Sequence, residues 1–207
     1  MDSTLRSVTL GNIHLFQLEN IDGFPRLTRS LLTEFHQQLD SIFTARIETS
    51  TAIRGVVITG TAQAFAAGAD INEINSLTAA QARHFSALGQ SLMNKIERSP
   101  IPIVAAIRGY CFGGALDLAL ACHTRIAADD ASFAHPGGRI GIITGWGGTA
   151  RLPRLIGRSR AMEMLSTARR VSAAEAFSVG LVRRIVAAEA VLPTAFEFAQ
   201  SRRALAP

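Results

Sequence analysis

The chain has few cysteines, few aromatic residues and no long hydrophobic run. Its two cysteines, Cys111 and Cys122, are too few for a disulfide framework and lack the spacing of a zinc site, so we interpret both as buried thiols. The longest apolar segments, such as residues 101–107, fall far short of the roughly 20 residues that cross a bilayer. The first residues show no secretory signal, so we expect a cytoplasmic protein that contacts no membrane.

Carboxylates are also unevenly distributed, because the glycine-rich segment of residues 132–157 contains none. The net charge of +5 comes mostly from arginine, especially in residues 151–170. A diffuse arginine excess without interleaved aromatics is typical of a solvated surface, and it argues against nucleic-acid binding. A polyanionic small ligand such as a nucleotide or coenzyme fits the charge equally well.

Length and composition favour one compact domain. With 207 residues and 48% hydrophobic content, the chain is long enough to bury a sizeable core. It shows no internal repeat, low-complexity segment or linker. We predict a core domain over residues 1–186, followed by a C-terminal helical segment over residues 187–207.

Periodicity predicts strands that alternate with helices, which indicates an α/β architecture. Strands are predicted on both sides of the turn at Gly11-Asn12 and over residues 52–60, 101–109 and 123–129. An amphipathic helix is predicted from Leu27 to Phe43, and another follows a capping box of Thr78 and Gln81. Residues 113–122 form a helix that is apolar nearly all round. A helix after a Ser172–Glu175 capping box stops at Gly180, and a last one runs from Glu189 to about residue 203.

Two glycine-containing segments can present backbone N–H groups to a ligand. The first is "FAAGADI", residues 65–71, which follows a buried strand and is also consistent with a simple turn. The second is "GYCFGGALDLAL", residues 109–120, where a helix begins after Gly113-Gly114. The N-terminus of a helix offers free N–H groups and the positive end of the dipole, so an oxyanion is stabilised there.

Asp117 lies about one turn beyond Gly114, on the same face of that apolar helix. A carboxylate among apolar residues is costly unless it is paired or functional. It is therefore either a catalytic group or a structural cap or ion-pair partner.

These segments together resemble the crotonase superfamily, that is, the enoyl-CoA hydratase/isomerase family. The resemblance is carried in order by "AFAAGADINEI", "IPIVAAIRGYCFGGALDLALAC", "IGIITGWGGTARLPRLIG" and "VSAAEAFSVGLV". It implies a spiral of β-β-α units that acts on acyl groups carried as coenzyme A thioesters. No separate cofactor is implied, since coenzyme A is part of the substrate.

The resemblance also assigns roles to residues. The two N–H groups that hold the thioester oxygen as it becomes an enolate fall on Ala69 and Gly114. The family's first catalytic glutamate falls on Asp117. Residues around these positions are expected to bind the acyl-CoA, namely Ala67, Gly68, Asp70, Ile71, Gly113, Gly137 and Trp146.

The second family glutamate falls on Gly137, which has no acid or base to offer. The usual pair of carboxylates that adds water is therefore incomplete, whereas one base can still move a proton between two carbons of an enolate. His135 is the natural substitute acid-base, since imidazole titrates near neutral pH; the alternative is a histidine hydrogen-bonded to backbone beside Pro136. Trp146 either stacks on the acyl group or fills the core.

Family members usually continue for some fifty more residues, into helices that support trimers and part of the coenzyme pocket. We therefore expect a shortened C-terminal helical region and a homo-oligomer that is weakened by it. Arg26 lies near the position where the family meets the coenzyme.

Two alternatives remain from other classes. One is a non-catalytic acyl-CoA-binding protein of the same fold, or a variant of the chemistry other than hydration. The other is a dinucleotide-binding protein, because Gly145, Gly147 and Ala150 satisfy G-x-G-x-x-A after a strand-like "RIGII". No metal site is indicated by the spacing of ligating residues.

Overall fold

A computed structural model describes residues 3–48 and 53–201 of the chain, with the side chains of residues 46–48 excepted. The strands are Thr4–Leu10 (β1), Ile13–Glu19 (β2), Arg26–Leu27 (β3), Gly55–Thr59 (β4), Ala64–Ala66 (β5), Gly68–Ala69 (β6), Ile103–Ile107 (β7), Tyr110–Phe112 (β8), Thr124–Ala128 (β9), Ser132–Ala134 (β10), Val171–Ser172 (β11) and Arg184–Val186 (β12). The helices are Arg29–Glu48 (α1), Ile71–Asn75 (α2), Ala79–Glu97 (α3), Gly114–Ala121 (α4), Gly148–Ile156 (α5), Arg158–Thr167 (α6), Ala173–Ser178 (α7) and Val191–Gln200 (α8). Short 3-10 helices cover Pro136–Ile140 and Ala188–Ala190.

The strands form two main sheets, which confirms the α/β prediction. The larger sheet has the order β1-β2-β4-β7-β9-β12 and is parallel except for the β1–β2 hairpin. The smaller sheet has the order β11-β10-β8-β5, and β3 pairs with β6 beside it. From β4 to β10 the chain passes in turn through the larger sheet (β4, β7, β9) and the smaller sheet (β5, β8, β10), with α2 and α3 before β7 and α4 before β9, as in a spiral of β-β-α units.

Helix α4 occupies the centre of the molecule. Every residue from Ala115 to Ala121 is buried, and the largest cluster of buried hydrophobic side chains surrounds this helix. The sequence predicts this placement, because a helix that is apolar all round must be covered on every side. The burial of Cys111 and Cys122, both free thiols, is likewise confirmed.

Helix α8 packs on the other face of the larger sheet. Val191, Ala195 and Ala199 join Ile13 and Val57 in a second hydrophobic cluster there. The described part of the C-terminal segment therefore covers the sheet. The predicted last helix extends to about residue 203, and its part beyond residue 201 lies outside the described residues.

Several predicted element boundaries are wrong. Leu27 belongs to β3 and not to the first helix, which begins at Arg29. Segment 65–71 is not a simple turn, since it contains β6 and the start of α2. The strand predicted over residues 52–60 is confirmed over Gly55–Thr59, and residue 52 lies outside the described part of the chain.

The two predicted capping boxes differ in outcome. At α3, Thr78 and Gln81 cap each other's backbone as predicted. At α7, the hydroxyl of Ser172 accepts from the Glu175 N–H, but the Glu175 carboxylate binds Arg169 at 2.5 and 2.9 Å. A guanidinium that offers two charge-assisted hydrogen bonds competes successfully for this carboxylate with one backbone N–H.

Candidate active site

One cavity of about 610 Å³ gathers most of the predicted site residues. It is bordered by the N-terminus of α4, by the β6–α2 segment and by the glycine-rich segment after β10. Its walls are apolar apart from a few polar groups, which is typical of a ligand-binding site. The predicted residues in its lining are Ala67, Gly68, Ala69, Ile71, Gly113, Gly114, Asp117, His135, Gly137 and Trp146.

Helix α4 begins at the wall of this cavity. Gly113, the residue before the helix, has φ +56° and ψ −123°, a conformation that favours glycine because a Cβ would be strained there. Its N–H donates to the Ala134 carbonyl at 2.9 Å. The N–H of Gly114 belongs to the first helical turn, whose N–H groups have no acceptor within the helix. It lies at the positive end of the helix dipole.

The β6 strand approaches this helix start closely. A Cβ built on Gly68 would lie 3.4 Å from the Gly114 nitrogen and 2.8 Å from the Phe112 carbonyl oxygen. A larger residue would push the two segments apart. Glycine at position 68 therefore brings the backbone of Gly68–Ala69 beside that of Gly114, which is the arrangement that a two-donor oxyanion site needs.

Asp117 is the buried carboxyl of the cavity, with 1% of its side chain exposed. Its Oδ2 accepts hydrogen bonds from the Thr144 hydroxyl and, at 3.2 Å, from the Trp146 N–H. Its Oδ1 has no hydrogen-bond partner among the described residues. One oxygen thus anchors the group, and the other is available to a ligand.

His135 faces that available oxygen. Its Nε2 lies 3.3 Å from Asp117 Oδ1, and this nitrogen also lacks a hydrogen-bond partner within the described chain. The close approach is therefore not a formed hydrogen bond. The alternative interpretation is a histidine hydrogen-bonded to backbone beside Pro136, and Nε2 makes no such bond to a described residue.

Burial moves the two groups toward their neutral forms. It raises the pKa of Asp117 to about 6, against the opposing hydrogen bonds from Thr144 and Trp146 and the charge of Arg151. Burial lowers the pKa of His135 to about 4. At neutral pH the pair is a carboxylate beside a neutral imidazole, so Asp117 is the base and its proton affinity suits neutral pH.

Two glycines are required by close approach in this region. A Cβ on Gly148 would lie 2.1 Å from Asp117 Oδ1 and 3.0 Å from His135 Nε2. Any side chain at position 148 would therefore overlap the carboxylate in its present position. A Cβ on Gly137 would lie 2.4 Å from the Ile142 carbonyl oxygen, and the Ile142 N–H donates to the Gly137 carbonyl at 2.9 Å. The loop is therefore folded so tightly at position 137 that no side chain fits without a backbone shift.

Trp146 fills the core next to the cavity. Its ring packs against the backbones of Gly89 and Gly114, where a Cβ would lie 2.3 Å from ring atoms, and it meets Phe85 edge to face at 5.3 Å between centroids. Only 4% of the residue is exposed. Of the two interpretations of Trp146, the structure favours core packing, with its edge in the cavity wall.

Arg151 connects this region to the surrounding helices. Its guanidinium donates to the Trp146 carbonyl at 3.1 Å, to Asn94 at 2.8 Å and to Glu97 at 2.7 Å. These bonds fix the backbone of Trp146, whose N–H holds Asp117. Arg151 therefore supports the position of the carboxylate without touching the cavity.

Two predicted binding residues do not line the cavity. Asp70 caps α2, because its Oδ1 accepts from the N–H groups of Asn72 at 2.8 Å and Glu73 at 3.3 Å. Arg26 pairs with Asp22 at 2.8 Å on the surface. Asp70 therefore has a capping role, because its carboxylate accepts from N–H groups that have no partner within the helix.

Sequence reasoning missed Thr144 and Gly148 as site residues. Both contact Asp117, yet they lie 27 and more residues away from it in the chain. The one signal in the sequence is that both lie in the glycine-rich segment of residues 132–157, which contains no carboxylate. Only the packing of residues 144–148 against α4 shows what they contact.

The dinucleotide hypothesis loses its structural context. The segment before Gly145 is a 3-10 helix over Pro136–Ile140 followed by irregular chain, and not a strand. A dinucleotide fingerprint needs a strand directly before its glycines.

In the described part of the chain, no three side chains of His, Cys, Asp or Glu gather as a metal site would require. No described helix combines the length and apolar character needed to cross a bilayer.

Solved structures with the same fold include several enzymes of one class. An enoyl-CoA hydratase from Bacillus anthracis is 36% identical, with a TM-score of 0.86 over 97% of this chain and 76% of that one. An enoyl-CoA hydratase from Thermoplasma volcanium is 31% identical, with a TM-score of 0.85 over 96% of this chain and 78% of that one.

Sequence comparison defines the family more narrowly. The model of the enoyl-CoA hydratase/isomerase family matches residues 11–204. A crotonyl-CoA hydratase from Syntrophomonas wolfei is 45% identical over 143 residues, which are 69% of this chain and 55% of that relative. The chain thus spans little more than half of this relative's length, and it belongs to the enoyl-CoA hydratase/isomerase family of the crotonase superfamily.

Proposed function

We propose that the protein is an acyl-CoA enzyme in which Asp117 removes a proton from an acyl thioester to form its enolate, or returns a proton to that enolate. The observation that carries the proposal is the buried carboxyl of Asp117, anchored through Oδ2 and open to the cavity through Oδ1. It lies on the first turns of a helix whose free N–H groups border the same cavity. Base and oxyanion donors are thus within one substrate's reach.

In this mechanism the thioester oxygen accepts hydrogen bonds from the N–H groups of Ala69 and Gly114. These donors stabilise the negative charge that develops on that oxygen as the enolate forms. Loss of one such donor typically costs about 100 to 1,000-fold in rate. The apolar residues of the cavity, among them Phe85 and Ile142, exclude water from the acyl group.

Asp117 Oδ1 and His135 Nε2 define where the proton is handled. Both atoms are unpartnered among the described residues and lie 3.3 Å apart, so a water placed beside them completes their hydrogen bonding, and a substrate C–H placed there is within reach of the carboxylate. The carboxylate accepts the proton, and the neutral imidazole orients the group that loses or receives it. This pair supplies the acid-base chemistry that Gly137 cannot.

The test is to measure binding and turnover of crotonyl-CoA in parallel. Trp146 is the single tryptophan and lies in the cavity wall, so its fluorescence should change when the thioester binds. We expect saturable binding together with formation of a hydrated or isomerised product. Binding without any reaction of several enoyl-CoA chain lengths favours the non-catalytic acyl-CoA-binding protein, and absence of binding rejects both.

A further inference from the structure

A second cavity, of about 220 Å³, lies outside the candidate active site and shares none of its lining residues. It forms where the ends of α3 and α4 meet α5 and the beginning of β9. Its charged or polar lining side chains are Glu97, His123, Arg125, Arg151 and Arg154. Three guanidinium groups thus face one carboxylate, and that carboxylate already binds Arg151 at 2.7 Å.

Arg125 is the unusual member of this set, because it is 8% exposed and its hydrogen bonds among the described residues all go to carbonyl groups and none to a carboxylate. Its guanidinium donates to the carbonyls of Leu181 and Cys122, both at 2.7 Å, and of Ala119 at 3.3 Å. Two of these carbonyls end helix α4, so Arg125 also caps that helix. Burial lowers the pKa of Arg125, since a buried cation without an anion is costly.

His123 adds a further donor. Its Nδ1 accepts from the Ile103 N–H at 3.0 Å, and burial lowers the pKa of the ring. A neutral ring that accepts through Nδ1 carries its proton on Nε2. Arg154 is exposed and forms no ion pair with a described residue. Donors therefore outnumber acceptors among the side chains around the cavity.

We propose that this second cavity binds a small oxyanion of the phosphate class. The anion supplies the counter-charge for the buried guanidinium of Arg125. Planar guanidinium groups match the oxygens of such an anion well. The cavity is smaller than the 300 Å³ or so at which pockets for drug-sized ligands begin, so it suits a phosphate group better than a whole nucleotide. It also gives a role to two arginines of the arginine-rich segment.

The test is calorimetric titration of the full chain with inorganic phosphate at constant ionic strength. Arg154→Gln is the main variant, since Arg154 is exposed and its loss should not disturb folding. Arg160→Gln on α6 is the matched control, being an exposed arginine outside the cavity lining. We expect one saturable site that Arg154→Gln weakens at least about tenfold, as removal of one charge-assisted hydrogen bond does, and that Arg160→Gln leaves unchanged.

A second measurement follows the ring resonances of His123 by NMR during the same titration. The His123 resonances should shift as phosphate is added and give the same dissociation constant as calorimetry. The resonances of His84, on the surface of α3, should not shift. Absence of saturable binding, equal weakening by both variants, or an unmoved His123 overturns the proposal.

Repeating the titration with coenzyme A identifies the source of the phosphate. Displacement of inorganic phosphate from His123 assigns the site to a phosphate of the coenzyme, and retention of it assigns the site to free phosphate. Both results support the anion site. Because the first titration uses phosphate alone, its result does not depend on whether the chain acts on acyl-CoA.

Discussion

Asp117 Oδ1 and His135 Nε2 lie 3.3 Å apart at the wall of the main cavity, and neither atom has a hydrogen-bond partner among the described residues. Buried polar atoms are rarely left in this state unless something else completes their bonding. The structure gives an adjacent cavity from which a substrate or water can do so. The following predictions depend on this relationship.

The rate of the reaction should fall in acid with a midpoint near pH 6. The pKa of Asp117 is raised to about 6 by burial, and the base must be ionised, so activity is lost as the pH falls through that value. The midpoint of this loss is measured from the pH profile of kcat/KM for the wild-type chain. A profile that stays flat between pH 5 and about pH 7 removes Asp117 as the base.

Asp117→Asn should abolish turnover and stabilise the fold. A carboxyl whose pKa rises from 3.8 to about 6 on folding binds its proton more tightly in the folded state, so stability falls as the pH rises between those values. At pH 7 the neutral amide should raise the free energy of unfolding by about 2 to 3 kcal/mol. Denaturant unfolding of both chains checks this, and a destabilised variant contradicts it.

Thr144→Val should move the acid limb of the pH profile upward by about one pH unit, because the hydroxyl that stabilises ionised Asp117 is lost. Thr144→Ser keeps the hydroxyl and should restore the wild-type limb. Equal profiles for the two variants would show that Thr144 acts only through packing.

Gly148→Ala should displace the Asp117 carboxylate, since the added Cβ would lie 2.1 Å from its Oδ1. We expect a large loss of kcat and a destabilisation of about 1 to 3 kcal/mol, the usual cost of overpacking. Gly145→Ala is the control, because its Cβ would come no closer than 3.4 Å to the Ser86 hydroxyl. Similar losses of kcat in both variants would mean that the loop is merely intolerant of side chains.

Gly137→Glu should fail to create a second catalytic carboxylate. The side chain at this position meets the Ile142 carbonyl oxygen at 2.4 Å, so the turn must open before a glutamate fits. We expect a lower melting temperature and no gain in hydration of crotonyl-CoA. A faster hydratase would show that the site retains the family's two-carboxylate geometry.

Much of this site could be predicted from short-range patterns. The glycine pair at the start of α4, the apolar helix around Asp117 and the capping residues of α3 all depend on neighbours within one or two turns. The contacts of Thr144, Gly148 and Arg151 could not be predicted, because each joins segments far apart in the chain. The same limit applied to Leu27, whose apolar side chain fits a helix pattern, although its pairing with β6 places it in a strand.

The most direct measurement is incubation of the chain with crotonyl-CoA in deuterated water, followed by proton NMR of the acyl group. We expect deuterium to enter the acyl chain, with or without a hydrated product, in the wild-type chain and not in Asp117→Asn. Unchanged spectra with crotonyl-CoA and with longer enoyl-CoA thioesters, or equal exchange in the two chains, would contradict the assignment of Asp117 as the group that moves the proton.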